Sequence, residues 1–175
     1  TRFWPRSRNS RPKQLLDIVG SESMIRQTMG RIVPLVDPER IYVVTNEAHR
    51  GETRRHLREI PSSNILTEPV GRNTAPAVGY AAVIVSQVRP DAVMLVLPAD
   101  HLVADEGKFR TALLKAARHA ARSCDLVTLG VRPTGPETGY GYIRAGREIG
   151  GGFRTVSAFV EKPDRAKAEQ YLKSG

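Results

Sequence analysis

Ala92-Val93-Met94-Leu95-Val96-Leu97-Pro98-Ala99-Asp100 is the stretch on which the fold turns. Six consecutive apolar residues end at Pro98, with no polar alternation. This pattern predicts a strand covered on both faces, as in the interior of a parallel sheet. Helical patterns flank it at 74–88 and 108–123. Pro76 falls in the first turn of the former, where a missing N–H costs little. That helix is apolar nearly all round and is expected to be buried. Upstream, 21–33 reads as a helix capped by Ser21, with Ile25, Met29, Ile32 and Val33 at helical spacing. Residues 41–45 read as a strand, 47–57 as a polar helix, and 64–67 as a short strand ending at Glu68-Pro69. Downstream, 126–131 and 156–160 read as strands, and Asp164 caps a last helix through Leu172. Strands alternating with helices predict an α/β fold with a mostly parallel central sheet flanked by helices. Gly150-Gly151-Gly152 reads as a loop or turn rather than a boundary, so 1–175 is taken as one domain.

Ligands of such sheets bind beyond the carboxyl ends of the strands. The segments that follow strands therefore carry the interest: Thr45-Asn46, 68–74, 98–101 and Glu161-Lys162. The 175 residues include 27 Lys and Arg for a net charge of +9, a balance that suits nucleic acid, an anionic membrane or phosphorylated small molecules. The aromatics are few and scattered and no recognition motif is present, which argues against nucleic acid. No stretch approaches the ~20 apolar residues of a membrane helix. Arg50 to Arg58 alternates with Glu52 and His56 and reads as a solvated helix face. Arg2, Arg6, Arg8, Arg11 and Lys13 precede the first acidic residue, and Trp4, Pro5 and Pro12 between them indicate a shaped loop. The single cysteine, Cys124, fits a reducing compartment and reads as a small packing residue in a helix.

Four segments carry a family resemblance. They are Thr1-Arg2-Phe3-Trp4-Pro5 with Pro12-Lys13-Gln14; Glu68-Pro69 with Gly71-Arg72-Asn73-Thr74-Ala75-Pro76; Leu97-Pro98-Ala99-Asp100-His101; and Pro136-Glu137-Thr138-Gly139-Tyr140-Gly141-Tyr142 followed by Phe159-Val160-Glu161-Lys162-Pro163. Each is weak alone. Their order and spacing resemble the mannose-1-phosphate guanylyltransferases over essentially the whole chain, and Arg72 to Pro76 favours this branch over thymidylyl- and uridylyltransferases. The resemblance implies a Rossmann-like nucleotidyltransferase fold, GTP and mannose 1-phosphate as substrates, GDP-mannose and pyrophosphate as products, Mg²⁺ as cofactor and a cytoplasmic enzyme without a nucleic-acid or membrane partner. It leaves a homo-oligomer open. The family's first strand and glycine-rich turn, expected just before Thr1, are not within 1–175, nor is a second metal-binding aspartate expected beyond Gly175. A polypeptide bounded by these residues is read as a partial catalytic domain and expected to be catalytically dead even if it folds.

The resemblance assigns Arg2 and Lys13 to the triphosphate, where a guanidinium fork and a compact ammonium meet phosphate oxygens. A basic surface loop explains the same charges. Arg6, Arg8 and Arg11 lack motif support and are read as surface. Arg72, Asn73 and Thr74 fall near guanine by resemblance, while Asn73 or Thr74 also suits a helix cap. Asp100, just past the strongest strand, is the metal candidate, because Mg²⁺ prefers few protein oxygens plus phosphate. A turn aspartate explains its position equally well. His101 is read as a structural hydrogen-bonding residue. Gly139, Tyr140, Glu161 and Lys162 are assigned to the sugar phosphate; an exposed ion pair at a strand end is the plainer account of the last two. Adjacent strand residues point to opposite faces, so the backbone must bend if Glu161 and Lys162 reach one ligand. Another sugar-1-phosphate nucleotidyltransferase, or a non-catalytic nucleotide-sugar-binding subunit on the same fold, is the alternative function.

Overall fold

The computed structural model describes residues 5–8 and 12–174. It comprises two compact units, 1–127 and 128–175, each described here by itself. In the first, α1 (Met24–Ile32) carries Ile25 and Met29 on one face. They join Leu15, Ile41, Leu57 and Ile60 in the hydrophobic core, with Val43 and Ala99 packed against it. The helix begins later than its pattern predicts: Ser23, not Ser21, stands at the N-cap, and its side chain makes no cap hydrogen bond. The Ser23 hydroxyl instead meets His56 Nδ1 at 2.9 Å.

The strands β1 (Val43–Asn46) and β2 (Ile65–Glu68) pair in parallel, from Val43 opposite Ile65 to Asn46 opposite Glu68. A parallel pair needs a crossover, and α2 (Glu47–His56) supplies it. Asn46 ends β1 and caps α2, its side-chain oxygen accepting from His49 N at 3.0 Å. The register is held from below by Asn64. This buried amide donates to the carbonyls of Glu39 at 2.8 Å and Ile41 at 3.2 Å, tying the approach to β2 to the approach to β1.

Then come α3 (Thr74–Val88) and α4 (Glu106–Ser123). The expected burial of α3 is not observed: only Ala81 is buried, and Val83 and Val88 are 57% and 67% exposed. Apolar composition gives a helix surface to cover, but cover requires facing elements, and among the described residues these reach only one part of it. The stretches 92–97 and 126–131 likewise join no ladder among the described residues. A hydrophobic run sets a preference for extended chain; a strand also needs a partner for its N–H and C=O groups. Cys124 is corrected as well. It is exposed, lies just past α4, and has a left-handed backbone (φ 58°) that closes the helix rather than packing inside it.

The second unit holds an antiparallel hairpin of β3 (Tyr142–Gly150) and β4 (Phe153–Val160), then α5 (Arg165–Ser174). Gly150, Gly151 and Gly152 form its turn at φ 87°, 61° and 76°, which glycine adopts without steric cost. The sequence pattern captures the turn and part of β4 but not β3. Tyr142-Ile143-Arg144-Ala145-Gly146-Arg147-Glu148-Ile149-Gly150 has no clean alternation, and register shifts interrupt the ladder where alternation would show. Asp164 caps α5 as expected, accepting from Lys167 N at 2.8 Å. No helix among the described residues is long and apolar enough to cross a membrane.

The Asn64 bridge makes a test of the parallel register. Asn64→Asp replaces the amide donor by an acceptor facing two carbonyls, and should cost about 1–3 kcal/mol in urea denaturation at neutral pH. An unchanged midpoint would show that the bridge does not hold the strand approaches together.

Candidate functional site

In the first unit, a 3-10 turn at Lys13–Leu15 begins the site. Leu15 and Leu16 are buried and anchor the turn, and Lys13 stays partly exposed. Its Nζ forms an ion pair with Asp100 Oδ2. Asp100 is carried by Pro98-Ala99, and Ala99 packs on the core. Two residues far apart in sequence are thus aimed at each other by apolar neighbours one or two positions away. Both side chains are partly exposed, 38% for Lys13 and 22% for Asp100, so the pair is open to ligands and solvent. Asp100 also lines a recess of about 260 Å³ with Gln14, Thr45 and Thr53. Thr45 lies near the carboxyl end of β1, where ligands of such sheets bind. Arg2 lies outside the described residues.

Among the described residues, no group of three or more His, Cys, Asp or Glu could hold a metal. Of the residues lining the recess, Asp100 is the one carboxylate, a hard oxygen donor. That donor set fits Mg²⁺, which completes its shell from phosphate oxygens and water, and does not fit a closed protein cage.

Arg72 and Asn73 lie in the exposed turn between β2 and α3, and Thr74, also exposed, begins α3. Asn73 stands at the N-cap but its side chain makes no cap hydrogen bond, so the capping alternative fails for it. Its backbone (φ 68°, ψ −170°) lies in a region almost reserved for glycine, at a cost of order 1–3 kcal/mol. The amide is thereby left outside the helix hydrogen bonding, on an exposed residue. His101 contributes its main-chain carbonyl, which accepts from Arg31 Nη2 at 3.3 Å. Arg6 and Arg8 behave as surface residues, Arg6 pairing with Asp17 at 3.6 Å and Arg8 with the Pro5 carbonyl at 3.5 Å.

In the second unit, β4 ends at Val160 and the chain bends. Lys162 has a left-handed backbone (φ 44°), which removes the strand alternation that would separate it from Glu161. Lys162 Nζ and Glu161 Oε1 stand 3.1 Å apart, both well exposed. Lys162 N donates to the Tyr140 carbonyl at 3.2 Å, so the Gly139 to Gly141 segment lies against this bend. Gly141 has a steric reason: a Cβ there would come 2.5 Å from Phe159 Cζ and 2.9 Å from Glu161 Oε2. The site therefore gathers Tyr140, Glu161 and Lys162, while Gly139 has open space beside it.

Sequence analysis places Gln14 and Thr45 in segments of interest but gives neither a role. It misses Ser23 with His56, and Arg31. A second recess is lined by Ser23, Arg26, Arg55 and His56. Arg26 bonds Glu59 there at 2.6 Å and holds its carboxyl below the usual range.

Lys13 with Asp100 in the first unit and Glu161 with Lys162 in the second are thus charged pairs open to a ligand. The chain belongs to the nucleotidyl transferase family, whose pattern it matches over residues 1–175. It is 49% identical to the xanthan biosynthesis protein XanB of Xanthomonas campestris pv. campestris and 46% identical to the mannose-1-phosphate guanylyltransferase RfbM of Salmonella typhimurium, each match covering all of this chain and 37% of the relative. The chain thus spans little more than a third of the length of these curated relatives. A solved structure described as mannose-1-phosphate geranyltransferase from Thermus thermophilus superposes at TM-score 0.90 with 38% identity, covering 99% of this chain and 50% of the other. One described as mannose-6-phosphate isomerase from Helicobacter pylori gives TM-score 0.77 at 28% identity, over 96% of this chain and 62% of the other. These likenesses agree with the nucleotidyltransferase fold expected from sequence.

The ion pair gives a direct test. In a double-mutant cycle of Lys13→Met and Asp100→Asn, stability should show a coupling of about 0.2–1 kcal/mol that shrinks as salt is added. Zero coupling at low salt would show that the two side chains do not meet in solution.

Proposed function

We propose that this chain carries the nucleotide and sugar-phosphate groups of a mannose-1-phosphate guanylyltransferase. An oxygen of mannose 1-phosphate attacks the α-phosphorus of GTP, the bond from that phosphorus to the bridging oxygen breaks, and GDP-mannose and pyrophosphate result. The observation that carries the reading is the ion pair of Lys13 with Asp100, which lines a recess with Val43, Val44 and Thr45 of β1. Relatives at 44–46% identity are named mannose-1-phosphate guanylyltransferases, which supports this choice of substrates.

The attacking oxygen is already anionic, so no strong base is required. Rate must come from alignment and from neutralising the charge that two anions bring together. Lys13 and Arg2 are assigned to the triphosphate. Lys13 now neutralises Asp100, and when the pair opens its ammonium turns to phosphate while the carboxylate becomes a metal donor. Bound Mg²⁺ would supply positive charge at the phosphate oxygens, held on the protein side by Asp100. Arg72, Asn73 and Thr74 are assigned to guanine, whose donor edge and acceptor oxygen an amide and main-chain groups can match. Glu161 is assigned to sugar hydroxyls, Lys162 to the sugar phosphate, and Gly139 and Tyr140 to the sugar's edge. A GTP-consuming enzyme with one free cysteine fits the cytoplasm.

In a complete enzyme that contains this chain, Asp100→Asn should lower turnover by orders of magnitude with the fold retained, as followed by pyrophosphate release; near-normal turnover at saturating Mg²⁺ would remove Asp100 from the metal site. The lysines should separate by substrate. Lys13→Ala should weaken GTP use and Lys162→Ala should raise KM for mannose 1-phosphate, each by roughly 10- to 150-fold, the equivalent of ~1.5–3 kcal/mol. A Lys162→Ala enzyme altered only in its GTP dependence would refute this division.

A further inference from the structure

Arg31 is the one charged side chain among the described residues that is buried, at 3% exposure. It stands near the end of α1, and none of the chemistry above uses it. A buried guanidinium is costly unless its donors are met, and the way these donors are met is specific. Nη2 donates to the His101 carbonyl at 3.3 Å. Cζ lies 5.9 Å from the centroid of the Phe109 ring in α4. Nε stands 3.8 Å from Glu106 Oε1, charge-paired but without a hydrogen bond. The main-chain carbonyl of Arg31 in turn accepts from Arg110 Nη1 at 3.3 Å, and Arg110 pairs with Glu106 at 3.1 Å. One guanidinium therefore reaches both ends of the segment that runs from Asp100 to α4, at His101 and at Glu106.

We propose that Arg31 is a positioning residue for Asp100. Through the His101 carbonyl it fixes the main chain immediately after Asp100, and so sets where that carboxylate stands toward Lys13 and a metal-bound nucleotide. The inference rests on the reading of Asp100 as the Mg²⁺ ligand. The aim of a metal-binding carboxylate depends on where its main chain is held, and here the Arg31 bond to the His101 carbonyl holds the residue next to Asp100. Loss of such outer partners costs roughly 10- to 100-fold in metal affinity or activity. A purely structural arginine would behave differently. An apolar residue of similar length could fill the space beside Phe109, the exposed His101 segment could bond water, and Glu106 would keep Arg110.

The experiment measures affinity for Mn²⁺·GTP by water-proton relaxation, and for metal-free GTP in EDTA, with melting temperatures alongside. Arg31→Met should weaken Mn²⁺·GTP binding by roughly 10- to 100-fold while metal-free GTP binding stays as in the unaltered protein. Arg31→Lys, which keeps the charge and one donor toward His101, should fall between the two. Met29→Ala, a core truncation in the same helix, should lower the melting temperature and leave the ratio of the two affinities unchanged. In turnover of a complete enzyme that contains this chain, Arg31→Met should lower kcat without raising KM for mannose 1-phosphate. The proposal is overturned if Arg31→Met keeps full Mn²⁺·GTP affinity, or if its loss is matched by Met29→Ala. Should Arg31→Met not fold, Arg31→Lys decides, with unaltered Mn²⁺·GTP affinity as the refuting result. An Asp100→Asn protein that binds Mn²⁺·GTP normally would remove the metal reading itself, and this inference with it.

Discussion

Parallel pairing of β1 with β2 is the constraint on which the first unit rests. Parallel strands cannot be joined by a tight turn, so the chain must return along a crossover before the second strand begins. Here α2 makes that return, and both strands then end at one edge, Asn46 beside Glu68. Whatever follows each strand is delivered to that edge. This is why the exposed turn at Arg72 to Thr74 and the Thr45 side of the recess belong to one region, although neither has a chemical reason to be near the other. The pair is itself held by the apolar cluster around Leu57 and by the Asn64 amide below it.

Polar groups inside this unit are few, and they do the joining that apolar packing cannot. Hydrophobic contact is non-directional; it can hold α1 against α2 or α4 without setting which main-chain atom meets which. Asn64 with two carbonyls, Ser23 with His56, and Arg31 with the His101 carbonyl each link segments distant in sequence through directed bonds. They sit where a small slide would misplace a strand approach or the loop bearing Asp100.

The two units share one device. In each, a lysine and a carboxylate are brought together beside a main-chain irregularity: the 3-10 turn at Lys13, and the left-handed bend at Lys162. Exposed pairs of this kind contribute little to stability, about 0–1 kcal/mol. They open at little cost, which suits groups whose partners are meant to be exchanged for an anionic ligand and its counter-cation.

Helices are the most legible elements: α3 matches its pattern from Thr74 to Val88, and α4 starts two residues before its expected position. Their signal is local, written in spacing and caps. The turn at Gly150 to Gly152, the cap at Asp164 and the interest of Lys13, Asp100, Glu161 and Lys162 are legible for the same reason, as short motifs. Strand status at 92–97, the cover of α3 and the existence of β3 are not, because each depends on what lies opposite. Arg31 is silent too: in sequence it is one more basic residue of a basic chain. The helices, the glycine turn and the residues of interest in short motifs are thus legible in the sequence itself. Which carboxylate meets which lysine, and which buried cation bonds the main chain just after that carboxylate, is decided only by tertiary structure, since directed contacts across 70 and 87 residues leave no period or spacing to read.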